Sequence, residues 1–339
     1  MSYHTFETSF KITKIEYSIY KDFLYKFRKR VYKDKDTIIS EALKDNGIII
    51  KLHKSTKSDY TNYTIYYRIN PRRVFEEKNF IGIFDPEDTD KMIKRVNKLL
   101  GKLPQLEICN IRRIDFCANI RLKSQQDVKD YLKIVKRCAI PPKFKMNKYY
   151  DKKAKKHIVS QNGITITGSN DLEITLYNKY RQLKEQKIDC PDIEDANNII
   201  RLEIRCGYKK LQHLREKFNV RSLEEFLNST NKIFKYLLSY YLPSLFGSGS
   251  FFKLDDIKEK LKSAPYKEKN YKAMIRLAEK SATHSSLDKT LSNLGKKDIQ
   301  NLMKKFNEQN ISPIVLPRRF EADYLPNPIS LALESIGYK

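Results

Sequence analysis

A phenol and two or three carboxylates that share one surface are the residues of this chain best suited to chemistry. In the stretch GITITGSNDLEITLYNKYRQL, Gly163 to Leu183, alternating Ile and Thr turn at Gly168-Ser169-Asn170-Asp171, and a second alternating run follows from Leu172 to Tyr177. The pattern predicts a β-hairpin. Its period of two sends Glu173, Thr175 and Tyr177 to one face and Leu172, Ile174 and Leu176 to the other. From Asn178 onward the residues are good helix formers, which puts Tyr177 at a strand-to-helix junction. Two further runs read the same way. In RRIDFCANI, Arg113, Asp115, Cys117 and Asn119 oppose Ile114, Phe116, Ala118 and Ile120; in NIIRLEIRC, Arg201, Glu203 and Arg205 oppose Leu202, Ile204 and Cys206. Asp is disfavoured in strand centres, so Asp115 inside a β-favouring run calls for a partner or a function.

These groups match what cleavage of a phosphodiester needs: a nucleophile, a counter to the charge that builds on the phosphoryl oxygens, and a hold on the strand. Tyr177 can act as nucleophile and form a phosphotyrosine. Asp115 and Glu203, with Glu173 a weaker third, can hold Mg²⁺ or Mn²⁺. Lys179 or an arginine of the same face can bind phosphate and lower the phenol pKa. Tyr180, three residues on, is the rival nucleophile. The same charges can also serve as plain cross-strand ion pairs. The five histidines include no HxH pair, which disfavours a two-histidine metal nuclease.

Composition points to a polyanionic partner. The 339 residues include 67 Lys plus Arg against 41 Asp plus Glu, a formal charge of +26 spread along the chain. The segment from Lys143 to His157 is the most basic. Its lysines 143, 145, 148, 152, 153, 155 and 156 alternate with Phe144, Tyr149 and Tyr150, a mixture suited to a loop that grips single-stranded or hairpin DNA; a solvated charged loop is the plainer reading. Arg113, Arg201 and Arg205 are further phosphate contacts on the strand faces. No apolar run approaches the ~20 residues of a membrane span, and no signal peptide is evident, so a cytoplasmic location is expected. Five cysteines without a CxxC pair read as ordinary buried thiols.

The elements that must position these residues form, on this reading, an α+β fold: a mainly antiparallel sheet with helices on one face over residues 1–208, then an all-helical domain over 209–339. Residues 10–36 read as a basic amphipathic helix through Ile12, Ile15, Ile19, Phe23 and Phe27, with room for a strand before it. Ile48–His53 and Tyr60–Ile69 read as a hairpin. Helices are expected from Thr89 to Leu100 and from Ser124 to Cys138. The C-terminal half gives helices at Lys209–Lys217, Ser222–Tyr241, Leu254–Lys262, Tyr266–Lys280, Ser286–Leu294 and Lys297–Gln309. Pro243 and Gly247-Ser248-Gly249-Ser250 mark a flexible break, and the proline-rich tail is expected to be extended. The pair around Leu287 to Phe306 has the order of a helix-turn-helix, which a dimer surface explains equally well.

RRIDFCANI, ITITGSNDLEITLYNKYRQL and IIRLEIRCGYKKL, taken together, resemble the rolling-circle replication initiators of Gram-positive plasmids and the related relaxases of integrative conjugative elements, the trans-acting Rep type. Shared features are an Arg-x-Asp strand, a Gly-Ser turn leading to a tyrosine before Lys, and an Arg-hydrophobic-Glu strand. The family commonly has an acidic residue after the tyrosine, where this chain has Asn178. The resemblance, over roughly residues 60–215, implies a Rep nuclease-like fold and an enzyme that nicks and closes one strand of origin DNA. Tyr177 would form the 5′-phosphotyrosine link, Asp115 and Glu203 would bind metal, and a free 3′-OH would be left for a polymerase while a helicase is recruited. The rivals are a non-catalytic DNA-binding initiator and an RNA-binding protein.

Overall fold

The computed structural model describes residues 3–26, 31–57, 60–75, 80–151, 155–284 and 286–337. Its centre is a ten-stranded antiparallel sheet. The contributing strands are β1 (Tyr3–Ile12), β2 (Val31–Asp34), β3 (Thr37–Ser40), β4 (Ile48–Lys57), β5 (Tyr60–Ile69), β6 (Asn110–Arg121), β7 (Lys145–Met146), β10 (Gly163–Gly168), β11 (Leu172–Asn178) and β12 (Ile199–Gly207). They lie in the order β2-β3-β4-β5-β1-β6-β12-β11-β10-β7. β8 (Tyr149–Asp151) and β9 (Lys156–Ile158) form a separate hairpin. The α+β reading with a mainly antiparallel sheet therefore holds.

Register follows the hydrophobic pattern, because a slip of one residue would turn every apolar side chain outward. Ile174, Ile204 and Phe116 line up across β11, β12 and β6, and all three are fully buried. Thirteen helices are described. Those preceding residue 208 are α1 (Lys14–Tyr25), α2 (Pro71–Phe75), α3 (Thr89–Leu100), α4 (Gln125–Val135) and α5 (Lys179–Glu185). After them come α6 (Tyr208–Phe218), α7 (Leu223–Asn228), α8 (Thr230–Phe246), α9 (Leu254–Lys262), α10 (Glu268–Thr283), α11 (Leu287–Leu291), α12 (Lys296–Glu308) and α13 (Pro328–Ser335). Helix α8 packs on the apolar side of the sheet, where Phe234 stacks on Phe116 with ring centroids 5.7 Å apart. Burying a side chain of this size contributes roughly 1.5–3 kcal/mol. One continuous apolar core joins the sheet to α8 and the later helices.

Several sequence expectations change. The stretch 10–36 is not one helix. β1 runs through Ile12, Thr13 caps α1 in a capping box with Glu16, and β2 follows from Val31, while Phe27 to Arg30 lie outside the described residues. The apolar stripe expected there is a core stripe only in part: Ile12 is buried and Phe23 packs against the core, but Ile15 and Ile19 are exposed. The helix expected over Ser222–Tyr241 is two, broken at Ser229. Pro243 sits inside α8, which continues to Phe246. The Gly-Ser run is pinned, not flexible: Asn327 donates to the carbonyls of Gly247 and Gly249, and Ser248 N–H donates to Asn307 Oδ1 at 2.9 Å. The tail is also not simply extended, because Pro328 at the first turn and the Asn327 cap start α13, which packs on β6. Ile314 and Leu316 are buried as expected, and all five cysteines are free and buried.

Candidate active site

The expected hairpin forms, with Asn170 and Asp171 at positive φ in its turn, a conformation Asn and Asp accept more readily than most residues. Asn178 closes β11 and caps α5, its side chain accepting from Arg181 N–H at 3.0 Å. Tyr177 therefore stands at the junction, next to the cap and two residues before the first residue of the helix. Gly163 lies opposite it, where a Cβ would come within 2.7 Å of the Tyr177 Cβ, so any larger residue would force the two strands to shift here.

Three rows cross the polar face of β11, β12 and β6: Glu173–Arg205–Asp115, Thr175–Glu203–Cys117 and Tyr177–Arg201–Asn119. In the middle of this array the Tyr177 hydroxyl donates to Glu203 Oε1 at 2.6 Å. His4 approaches the same oxygen, its Nε2 3.5 Å away. His4 comes from β1, whose register on β6 shifts between Tyr3 and Thr5; this irregularity turns the imidazole onto the polar face while Tyr3 stays in the core. His4 Nδ1 is buried and makes no hydrogen bond. Lys179, 4% exposed, reaches Gln182 Oε1 at 2.9 Å. His4, Asp115, Tyr177, Lys179, Glu203 and Arg205 all border one open cleft of about 450 Å³, which Gln182 and Glu185 of α5 and its C-cap Gln186 also line. A second hollow of about 490 Å³, between Ile81, Arg121 and α13, has Arg121 and Glu334 but no phenol or imidazole.

Burial sets the protonation states. It raises the Tyr177 phenol well above its usual value, the facing Glu203 carboxylate adds to this, and Arg201 opposes it. It lowers the His4 imidazole by more than Glu203 restores, so His4 is neutral. Burial, reinforced by Arg201, brings the Lys179 amine down to about 7. Burial alone would raise Asp115, but its hydrogen bonds to Arg113 and the neighbouring charges bring it below the usual carboxylate value.

The other expected residues divide. Asp115, 1% exposed, accepts two hydrogen bonds from Arg113, at 2.8 and 2.6 Å, and one from Arg205 at 3.1 Å. Glu173 accepts from Arg205 at 2.7 Å. Both carboxylates are thus held by guanidinium groups, while Glu203 is left to Tyr177 and His4. Among the described residues no three His, Cys, Asp or Glu side chains stand together as a metal-holding group. Tyr180 is directed away: its hydroxyl donates to Glu194 at 3.1 Å and its ring packs on a small cluster around Leu183 and Cys190. Arg201, expected to contact phosphate, is fully buried, donating to Asn119 Oδ1 at 2.9 Å and to the Ile81 carbonyl. It acts on the site through its charge, not through contact with a strand.

Where the basic segment is described it holds strands in place of the expected loop. Lys145 lies in β7 on the sheet edge, and β8 and β9 pair as a hairpin with Tyr149 and Tyr150 exposed. Lys143, Lys148 and Lys155 are exposed, Lys156 opens β9, and Lys152 and Lys153 lie outside the described residues. His4 was missed in sequence because its signal is a bulge, which no local pattern announces. No family model matches the chain, and no curated protein is significantly similar to it. Among the described residues no helix is long and apolar enough to cross a membrane.

Proposed function

We propose that the chain is a replication initiator that nicks one strand of origin DNA, with Tyr177 as the nucleophile. The observation that carries this reading is the 2.6 Å hydrogen bond from the Tyr177 hydroxyl to Glu203 inside an open, charged cleft. A phenol whose pKa is raised is a poor nucleophile unless its proton leaves as it attacks. Glu203 is placed to take that proton, as a general base must be. In the step proposed, the Tyr177 oxygen bonds to phosphorus and its proton passes to Glu203. The P–O3′ bond breaks, and the departing 3′ oxygen takes up a proton to become a 3′-OH, leaving a 5′-phosphotyrosine. Lys179, which titrates near neutrality, can donate that proton, and its cationic form with Arg205 opposes charge on the phosphoryl oxygens.

The Mg²⁺ or Mn²⁺ expected from the sequence fits these residues poorly in the arrangement described, since Asp115 and Glu173 are held by arginines. No step is assigned to the ion. The +26 charge and the exposed lysines of the β7–β9 region support origin DNA, duplex or single-stranded, as the partner. The sheet carrying the site would form the nicking domain, with the helices beyond residue 208 as a DNA- or partner-binding part; a polymerase and a helicase would act on the nicked product.

The test is incubation with Mn²⁺ and supercoiled DNA bearing the chain's coding region and flanks, followed by denaturing gels. The expected result is a nick and a covalent adduct, both lost in Tyr177→Phe and kept in Tyr180→Phe. An adduct lost only in Tyr180→Phe would refute the assignment. Tight, sequence-selective binding with uncut DNA would leave a non-catalytic origin-binding initiator.

A further inference from the structure

A second surface, separate from the cleft, has the makeup of a base-stacking platform. Five aromatic rings form an unbroken ladder across α6, α8 and the residue just before β7. From Phe218 it steps to Tyr236 at 5.7 Å, then to Tyr240 at 5.5 Å, Tyr241 at 4.9 Å and Phe144 at 6.0 Å between centroids. Tyr240 at its middle is 61% exposed, so its ring is open to solvent and adds nothing to the core.

Lysines flank the ladder along its length. Lys217 Nζ lies 4.6 Å from the Tyr236 ring centre, Lys210 5.1 Å from that of Tyr241, and Lys232 5.9 Å from that of Phe218. The sequence here is almost free of opposing charge. No Asp or Glu occurs between Glu225 and Asp255, and α6 has one acid against four Lys or Arg. Charge complementarity therefore selects a polyanion, and an exposed Tyr240 ring continued by the half-exposed Tyr236 selects one with unpaired bases. Phe218, Tyr236, Tyr241 and Phe144 are half-buried against the core, which fixes the ladder in place, while Tyr240 stands clear of it.

The ladder also connects to the sheet. Its last ring, Phe144, lies against Gly168 at the hairpin turn, so close that a Cβ there would meet it at 2.4 Å. Tyr177 stands at the other end of the same hairpin, about 17 Å away along the strand.

We propose that this ladder binds single-stranded DNA by stacking bases on Tyr236 and Tyr240, with Lys217 and Lys232 on the phosphates. The proposal concerns binding and does not depend on strand cleavage by Tyr177. The experiment is fluorescence anisotropy of the full chain with a labelled oligothymidylate of about 12 nucleotides. Tyr240→Ala should weaken binding at least about fivefold, while Tyr240→Phe keeps the ring and the affinity. Lys217→Ala with Lys232→Ala should reduce the salt slope by about 1.4. Equal affinity in Tyr240→Ala and the parent chain, or an equal loss in Tyr240→Phe, overturns the proposal. So does self-association that disappears in Tyr240→Ala while DNA binding stays unchanged, which would make the ladder a contact between copies.

Discussion

Replacing Asp115 by Asn tests how the charged face is held together. The carboxylate is almost fully buried and accepts three hydrogen bonds from two guanidinium groups. Removing one partner of a buried ion pair typically costs about 3–5 kcal/mol, because the other charge stays behind. Here the lower end applies. Arg113 and Arg205 are 22% and 37% exposed, and they keep Glu7 at 3.3 Å and Glu173 at 2.7 Å. About 3 kcal/mol in a chain of this size corresponds to a fall in Tm of about 5 °C. Because the folded-state pKa of Asp115 is depressed, its contribution is complete above about pH 4 and is lost as pH falls through the folded value. The gap between the parent and Asp115→Asn should therefore be widest near pH 7 and narrow towards pH 3, as read by thermal melts followed by circular dichroism. A gap below about 1 °C at pH 7, or one that widens in acid, would refute the reasoning.

Two further predictions probe the cleft itself. Lys179→Met should stabilise the fold, by up to about 4 kcal/mol at pH 6, because below about 7 the folded chain must bury a charged amine. Between pH 7 and about 10 the unfolded lysine still binds a proton that the folded one has released, so the parent gains stability and the advantage of the variant shrinks, a sign that denaturant melts at pH 6 and 9.5 would check. Gly163→Ala would set a Cβ 2.5 Å from the Leu176 carbonyl oxygen and 2.7 Å from the Tyr177 Cβ. The expected cost is about 1–3 kcal/mol in denaturant melts, with a larger loss of nicking than Tyr180→Phe shows, because the strand that carries the phenol must shift.

What could be read from sequence divides along the range of the interactions. The rows on β6, β11 and β12 were legible because alternation with a period of two is local, and one buried face fixes the register of each strand. The hairpin turn and the Asn178 junction were legible from turn and capping chemistry carried by the residues themselves. β1 was not, since Tyr3 to Ile12 owes its place to pairing with β5 and β6, both far away in sequence. α13 was hidden by its flanking prolines, although Pro328 at the first turn starts the helix. The Gly-Ser run looked flexible because its composition is that of a linker. Its fixed course comes from Asn327 and from close packing at Gly249, where a Cβ would lie 2.1 Å from the backbone of Asn310 and Ile311.

The same distinction explains the site. Tyr177 and Glu203 could be brought together on paper because they lie on one face of adjacent strands. Which carboxylate takes the phenol depends on how the others are spent, and that depends on arginines spaced along three strands. Asp115 and Glu173 are claimed by Arg113 and Arg205, so Glu203 alone remains to accept from the tyrosine. The charged face thus works by exclusion: two carboxylates neutralised by guanidinium groups leave a third next to a neutral imidazole and a phenol. A reagent that acidified Tyr177 without moving Glu203 would show whether the proton transfer governs the proposed attack. A fluorotyrosine at position 177 is such a reagent, since it lowers the phenol pKa at nearly constant size. If the attack is limited by loss of that proton to Glu203, nicking at pH 6 should quicken with fluorination, and the effect should fade in Glu203→Gln. An unchanged rate in the Glu203 parent would remove that carboxylate from the role of base.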